Sequence, residues 1–336
     1  MLVWCLGLGV FFISWLLTWG LRSYALRISL LDIPNDRSSH VIPVPRGGGM
    51  AIVLSFTLAL LSIYLLGWLS LSLFLALLLP GLVVAALGFL DDLYTLPARW
   101  RLLGHIIAAT VAIYCLGGMP SLTLFGWLLP GGIIMGVLAV IYLIWLLNLY
   151  NFMDGIDGIA GVEAISVSLG GALLYWLSGN FSALALPVIL AASVAGFLCW
   201  NLPRARIFMG DVGSGFLGII LGIMSIQAGA ISAPLFWAWL VLLGVFIVDA
   251  TVTLLRRAFQ GDKIYEAHRS HAYQHASRRF NSHLLITLAV LSINIFWLLP
   301  LAVLVALGYV EGVIGLLVAY IPLVLLAVKF NAGKAG

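Results

Sequence analysis

Charged side chains are scarce in this chain. Only 8% of its 336 residues are Asp, Glu, Lys or Arg, whereas 63% are hydrophobic. Soluble domains carry charge on roughly a quarter of their residues, so a water-soluble fold is excluded. The net charge of +4 rests on few residues. We therefore interpret the basic residues as determinants of membrane topology and expect no nucleic-acid partner.

Cysteine is also rare. The three cysteines, Cys5, Cys115 and Cys199, lie in or beside apolar segments and form no C-x-x-C pair. The sequence therefore predicts neither a disulfide framework nor a zinc site. The first apolar segment begins at Met1 with no basic residue before it and no clear small-residue cleavage site. We expect it to be a membrane helix and not a removable signal peptide.

Long apolar runs fill the chain. One helical bilayer crossing needs about 20 predominantly apolar residues. Eleven such segments can be placed, at approximately 1–21, 48–66, 70–90, 102–118, 131–150, 159–177, 182–200, 213–229, 235–255, 284–305 and 310–328. The sequence thus predicts an all-α integral membrane protein of about eleven transmembrane helices, with one polytopic domain over residues 1–336.

All sixteen basic residues fall on one side of this threading. By the positive-inside rule that side is cytoplasmic, which places the N-terminus outside and the C-terminus in the cytoplasm. The opposite side has only short connections, with Glu311 as its lone charge. We therefore expect the chemistry in the cytoplasmic segments, which are 22–47, 91–101, 148–161, 201–214 and 256–283.

Polar residues recur every three positions where the fifth apolar segment ends. Asn148, Asn151 and Asp154 would share one face of a continuing helix, and glycines follow both Asp154 and Asp157. Carboxylate and amide oxygens are suited to Mg²⁺. Asn and Asp beside Gly also make ordinary turns, but two asparagines and two Asp-Gly pairs at an apolar helix end favour a ligand site.

Glycines surround two further charged positions. Asp211 lies in Gly210-Asp211-Val212-Gly213, where free N–H groups at a helix start can face an anion while the carboxylate holds a metal. An ordinary helix cap fits the same residues. Arg46, Gly47 and Gly48 can seat a phosphate at the start of the second segment, or they can form a close helix-packing surface.

Two other clusters carry charge or histidine. The adjacent carboxylates of Asp91 and Asp92 indicate a nearby cation or a shared proton, or else a solvated helix end. The loop from Arg256 to His283 contains His268, Arg269 and His271, which can bind a metal, position phosphates or be merely solvated. Asp249 lies inside the ninth segment, where a carboxylate either serves function or pairs with Arg256 or a polar group of a neighbouring helix.

Taken in their order along the chain, these motifs resemble those of the polyprenyl-phosphate N-acetylhexosamine-1-phosphate transferases. The resemblance spans the chain and includes Arg37 to His40, Arg46 to Gly49, Asp91 and Asp92, Asn151 to Gly158, Gly210 to Ser214, and His268 to His271. It departs from the family at one point, because Thr95 stands at the third acidic position of the usual D-D-x-x-D motif.

The resemblance implies roles for these residues. Asn151 and Asp211 are implied to be ligands of Mg²⁺, with Mn²⁺ as an alternative. The implied catalytic residues are Asp91, Asp92, Asp154, His268, Arg269 and His271. The implied substrate-binding residues are Arg46, Gly47, Gly48, Asn148 and Asp157.

The resemblance also implies a reaction. Polyprenyl phosphate attacks a UDP-N-acetylhexosamine at the bacterial cytoplasmic membrane and releases UMP, and a homodimer is left open. The last loop lacks the triple histidine of the peptidoglycan lipid I synthase, so it is more similar to the O-antigen and surface-polysaccharide initiators. A transporter or lipid flippase is the rival interpretation, although transporters place polar groups near the midplane.

Overall fold

The computed structural model describes residues 2–32, 43–94, 96–262 and 268–334. Positions Arg37 to His40 and Thr95 lie outside these ranges. The helices are α1 (Leu2–Arg27), α2 (Gly49–Leu65), α3 (Leu71–Tyr94), α4 (Ala98–Leu116), α5 (Ile133–Met153), α6 (Ile159–Leu177), α7 (Ala185–Asn201), α8 (Asp211–Ile231), α9 (Ala233–Leu242), α10 (Gly244–Phe259), α11 (Ala272–Phe280), α12 (His283–Ile293), α13 (Leu299–Ala306) and α14 (Gly312–Lys329).

A 3₁₀ turn (Phe181–Leu184) precedes α7, a π-helical stretch (Asn294–Leu298) joins α12 to α13, and two short antiparallel strand pairs are also present. Strands β1 (Leu31–Asp32) and β2 (Val44–Pro45) pair with each other, as do β3 (Leu122–Leu124) and β4 (Trp127–Leu129). Both pairs are too small to form a layer of their own, so the core is built by helices.

The prediction of an all-α integral membrane protein is confirmed. Within the described ranges eight helices are long and apolar enough to cross a membrane, and the count is nine if α9 and α10, bent by 68° at their junction, are one broken span and not a re-entrant loop. The apolar helix α2 has only 17 residues, and α4 begins with Arg99 and Arg101. Both occupy segments predicted to cross the bilayer, so the count of eleven stays a prediction.

Helix α8 lies at the centre of the bundle. Nearly every residue from Val212 to Gly229 is buried, and the helix packs against α3 and α5. At Gly218 a Cβ atom would lie 2.7 Å from the Cα atom of Leu147 in α5. Small residues permit this close approach of helices, where dispersion contacts stabilise the pair.

The motifs identified in the sequence gather at one end of the bundle. There α3 and α5 end, α2 and α8 begin, and α11 packs beneath them. We call this the basic end. At the opposite end Glu311 accepts hydrogen bonds from the N–H groups of Phe125 (3.1 Å) and Val313 (2.8 Å). The lone charge of that side therefore fixes the β3–β4 hairpin to the start of α14.

Candidate active site

Three helices bring acidic and amide side chains together at the basic end. Asp92 lies in the last turn of α3, Asn151 in the last turn of α5, and Asp211 at the first position of α8. The N–H of Asp211 donates to Asp92 Oδ1 over 3.4 Å, and Asn151 lines the same cavity as Asp211. The Asp92 Oδ2 atom is buried and has no hydrogen-bond partner among the described residues.

Two glycines make this meeting possible. A Cβ atom on Gly88 of α3 would lie 2.5 Å from the carbonyl oxygen of Asp211, so a larger residue would force α8 away from α3. Gly210 has a φ of +74°, in the left-handed region that favours glycine. The chain turns there and enters α8 with Asp211 directed at Asp92.

Arg101 lies beside the carboxylates. Its Nη1 atom donates to Asp91 Oδ2 over 2.6 Å and lies 3.8 Å from Asp211 Oδ2. Asp91 Oδ1 also accepts the N–H of Leu96 over 2.6 Å. Both carboxylate oxygens of Asp91 thus accept hydrogen bonds, whereas Oδ2 of Asp92 has no partner among the described residues. Sequence reasoning counted Arg101 only as a topology determinant, and the signal for its role was its position in the helix directly after the Asp pair.

A cavity of 210 Å³ opens beside this cluster between α3, α4, α5 and α8. Its polar lining is formed by Asp91, Arg101, His105, Asn148, Asn151 and Asp211. The Asn148 Nδ2 atom donates to the carbonyl of Ile144 over 2.7 Å. That bond orients the amide oxygen for a ligand. Asn148 therefore lines a cavity beside the cluster. Its role in substrate binding stays a prediction.

Asp154 follows α5 directly. Removal from water, together with the negative charges of Asp211, Asp92 and Asp157, holds the pKa of Asp154 well above its ordinary value. A cation bound near these carboxylates would offset the repulsion. The catalytic role that the resemblance implies for Asp154 stays a prediction.

Asp157 is held by two other segments. Its Oδ2 atom accepts the N–H of Ala205 over 3.1 Å, and its Oδ1 atom lies 3.4 Å from His283 Nδ1. The carboxylate also borders a second, larger cavity. Sequence reasoning gave His283 no part in the site, because the two residues are 126 positions apart. Substrate binding by Asp157 stays a prediction.

The second cavity has a volume of 760 Å³ and a strongly basic wall. Basic residues from three of the predicted cytoplasmic segments line it, namely Arg22, Arg204, Arg206, Arg269, Arg278 and His283. Arg278 Nη2 donates to the carbonyl of Arg269 over 2.9 Å and so holds the loop that carries Arg269. A cleft with charge of one sign concentrates ligands of the opposite sign, so this cavity is suited to phosphate groups.

The two predicted catalytic histidines stack on each other. The ring centroids of His268 and His271 are 4.9 Å apart, and the Phe152 ring lies 6.4 Å from the first and 6.3 Å from the second. Phe152 in turn lines the smaller cavity. The histidine loop is therefore placed beside the Asn151 and Asp211 cluster, although 117 residues separate Asn151 from His268 in the sequence.

The carboxylate of Asp249 holds this loop. Its oxygens accept the N–H groups of Ala272 and Tyr273, each over 2.9 Å, and Oδ1 lies 3.4 Å from His271 Nδ1. The two N–H groups belong to the first turn of α11, where helix donors lack intrahelical partners. Of the two alternatives left open, a polar group of a neighbouring helix is the observed partner, and Arg256 instead donates to the carbonyl of Ala332.

The glycine motif before α2 packs against the start of α8. The N–H of Gly48 donates to the carbonyl of Phe208 over 2.9 Å, so this amide is not available to a phosphate. Arg46 Nη2 donates to Asp32 Oδ1 over 3.2 Å, and Gly47 adopts a φ of +88°. The packing alternative thus holds for Gly48. Binding of substrate by Arg46 and Gly47 stays a prediction.

Known proteins are similar to this chain over most of its length. The model of glycosyl transferase family 4 matches residues 73–229. The decaprenyl-phosphate N-acetylglucosaminephosphotransferase of Mycobacterium leprae is 30% identical over 314 residues, covering 81% of this chain and 78% of the relative. The chain belongs to glycosyl transferase family 4.

Two further relatives have related names and match a similar share of the chain. The Mycolicibacterium smegmatis protein of the same name is 29% identical over 81% of this chain and 76% of its own length. A probable undecaprenyl-phosphate N-acetylglucosaminyl 1-phosphate transferase of Bacillus subtilis is 29% identical over 80% and 75%. The chain is a multi-pass membrane transferase. The family match includes Asp91 through Asp211 and ends before the histidine loop.

The donor set at the cluster suits a hard divalent cation. In the described part of the chain no three acidic, histidine or cysteine side chains form a metal cluster by themselves. The available ligands are instead the Asp211 carboxylate, the Asn151 amide and the unpartnered Asp92 Oδ2 atom. Mg²⁺ usually takes one or two protein carboxylates and completes its shell with water and substrate phosphate, which fits this set.

Proposed function

We propose that this family 4 transferase moves an N-acetylhexosamine 1-phosphate from a UDP-sugar to polyprenyl phosphate, with release of UMP. One observation carries the proposal: the Asn151 and Asp211 cluster, with Arg101, lies at the same end of a membrane bundle as a basic cavity. A lipid phosphate lies at such an interface, and the phosphates of a nucleotide sugar are suited to the basic cavity. The names of the relatives support a polyprenyl phosphate acceptor and an N-acetylglucosamine donor.

The reaction joins two anions, so catalysis depends on positioning and on neutralisation of charge. We propose that Asn151 and Asp211 hold Mg²⁺, with Mn²⁺ as an alternative. When bound, the ion would neutralise the donor pyrophosphate and the departing UMP. Arg269, which lines the basic cavity, has a planar fork that matches two phosphate oxygens. Arg269 would bind the donor phosphates from the basic cavity, and the ion would bind them from the Asn151 and Asp211 cluster.

The acceptor needs little help to become a nucleophile. A phosphate monoester loses its second proton near a pKa of about 6, so it is already largely dianionic at neutral pH. Asp91 is committed to Arg101 and Leu96, which leaves it a positioning role. Asp92 retains a free oxygen toward the cluster. In a direct transfer, one oxygen of the lipid phosphate attacks the β-phosphorus of the donor while the bond to the bridging oxygen of UMP breaks.

We further propose that the basic end faces the cytoplasm of a bacterial cell, where the UDP-sugar is found. The product would then be the lipid-linked first sugar of an O-antigen or another cell-surface polysaccharide. The absence of a triple histidine after residue 267 favours this over a peptidoglycan lipid I synthase. A transporter is disfavoured because the described site residues lie at one end of the bundle and not at the midplane.

The test is a reconstitution with purified protein. We expect UMP release from UDP-N-acetylglucosamine, or from a related UDP-N-acetylhexosamine in a panel, only when polyprenyl phosphate and Mg²⁺ are both present. The matched control is Asp211→Ala, which should abolish release. UMP release that is independent of the lipid, or no release with any donor of the panel, would contradict the proposed reaction.

A further inference from the structure

The chain that follows α14 turns back against the histidine loop. We call residues 331–334 the strap. Asn331 adopts a φ of +58°, and the N–H of Ala332 donates to the carbonyl of Ala327 over 2.9 Å. A left-handed residue with such a bond closes the last turn of a helix and reverses the chain. The local sequence thus ends α14 and starts the strap.

The strap is packed into the protein. Ala332 has no exposed surface and lies in an apolar cluster with Ala272 of α11. Arg256 of α10 donates from Nη1 to the carbonyl of Ala332 over 3.1 Å. A Cβ atom on Gly333 would lie 2.8 Å from the carbonyl oxygen of Thr253, also in α10. The strap is therefore held against both α10 and α11.

One strap residue bonds the histidine loop directly. The N–H of Gly333 donates to the carbonyl of Ser270 over 2.7 Å. The hydroxyl of Ser270 in turn hydrogen-bonds His268 Nδ1 over 3.0 Å. Gly333 has a φ of +77°, in the left-handed region that glycine adopts at little cost. Glycine at this position therefore permits the contact between strap and loop.

A second connection runs through His275 in α11. Its Nε2 atom lies 3.2 Å from the carbonyl oxygen of Lys334, and its Nδ1 atom lies 3.1 Å from Arg278 Nη2. A carbonyl only accepts and a guanidinium only donates, so Nε2 carries the proton and the ring is neutral. Arg278 also donates to the carbonyl of Arg269 over 2.9 Å. The strap thus supports the backbone of two consecutive loop residues, Arg269 and Ser270.

We infer that the strap is a positioning element of the transferase, which holds Arg269 toward the donor phosphates. Arg269 lines the basic cavity, and the direction of its side chain depends on where its backbone is held. Gly333 and His275 are then positioning residues that act through the loop and touch no substrate. The role in catalysis rests on the proposed function, whereas the contact between strap and loop does not.

The structural consequence is tested by hydrogen exchange of the purified full chain in nanodiscs. In Gly333→Ala the new Cβ meets the Thr253 carbonyl, so the strap must move. We expect a peptide covering residues 268–280 to exchange about tenfold faster, because the loop loses a buried hydrogen bond, while peptides of α8 stay unchanged.

Gly308→Ala is the matched control for this experiment. Gly308 has the same φ of +77°, but no described atom lies within 4 Å of its added Cβ. Its peptide 268–280 should exchange as in the wild type. Wild-type exchange of that peptide in Gly333→Ala, or an equal increase in α8, would overturn the inference.

The kinetic consequence is tested at His275. His275→Leu removes the ring donor and acceptor, whereas His275→Gln keeps one of each. We expect kcat/KM for the UDP-sugar to fall about tenfold in His275→Leu and to stay within about threefold of wild type in His275→Gln. The KM for polyprenyl phosphate should stay within about twofold in both, because the strap acts on the donor side. Equal losses in the two variants, or no loss in His275→Leu, would refute the inference.

The two tests separate the inference from the proposed function. If the wild type releases no UMP, the proposed function is refuted, and hydrogen exchange of Gly333→Ala still decides whether the strap holds the loop. If the wild type is active and both Gly333→Ala and His275→Leu keep its kinetics, the proposed function stands and the strap has no part in it.

Discussion

At the scale of single residues, Asp211 is the point where the site converges. Its N–H donates to Asp92, it lines the same cavity as Asn151, and Arg101 Nη1 lies 3.8 Å from its carboxylate. Asp211→Asn preserves the shape of the side chain and removes its charge. We expect the Mg²⁺ concentration for half-maximal UMP release to rise at least about tenfold, as for loss of an ion's charged ligand. The control is Asp262→Asn, which changes an acid paired with Arg257 and should leave this Mg²⁺ concentration unchanged. Equal Mg²⁺ concentrations for the two variants would show that Asp211 is not a ligand.

His268 provides a prediction about pH. Burial, with the neighbouring His271 and Arg257 side chains, lowers the pKa of His268 from 6.5 to about 4. The unfolded chain therefore binds a proton there that the folded protein does not, and this costs stability as the pH falls from about 7 to 4. In His268→Gln the fall of the melting temperature between pH 7.5 and pH 5 should be smaller than in the wild type. An identical fall in both proteins would show that His268 titrates normally.

At the scale of helices, contact surfaces set the geometry of the site. A Cβ atom on Gly88 would lie 2.5 Å from the Asp211 carbonyl oxygen, so Gly88→Ala must displace the start of α8. We expect UMP release to fall at least about a hundredfold, since a displacement of 1 Å at a catalytic group has that effect. Gly20→Ala in α1, where no atom lies within 4 Å of the new Cβ, is the control. Full activity of Gly88→Ala would mean that α8 can shift without harm to the site.

The sequence predicts only those site residues whose neighbours in the chain indicate a ligand site. Asn151, Asp211 and the Asp91 and Asp92 pair stand at helix ends beside glycines, and the structure brings them together. Gly88 and Arg101 carry no such pattern. Each is identified only by a tertiary contact, with Asp211 or Asp91 respectively. For Gly48 the local pattern is misleading. Its motif is typical of an anion site, but its N–H donates to the carbonyl of Phe208.

At the scale of the whole molecule, hydropathy predicted the membrane class because apolar composition alone determines it. Hydropathy did not predict the 68° bend between α9 and α10, since a broken span and a straight one have the same mean hydropathy. Nor did it show that α11 would pack under the site, because that docking depends on Asp249 and on Tyr273, whose hydroxyl donates to the Phe152 carbonyl over 3.0 Å. Composition therefore fixes the class of fold, and a few buried polar contacts fix the site.

The orientation of the molecule gives the last prediction. If the basic end faces the cytoplasm, residues at the two ends must differ in access to an impermeant thiol reagent. Ser182 follows the connection after α6, and Gln260 follows α10 at the basic end; both are exposed. In a chain whose own three cysteines are replaced by serine, we expect Ser182→Cys to react in intact cells. Gln260→Cys should react only after the membrane is opened. The reverse pattern would place the catalytic cluster outside the cell, where no UDP-sugar is supplied, and would refute the positive-inside assignment together with the proposed donor.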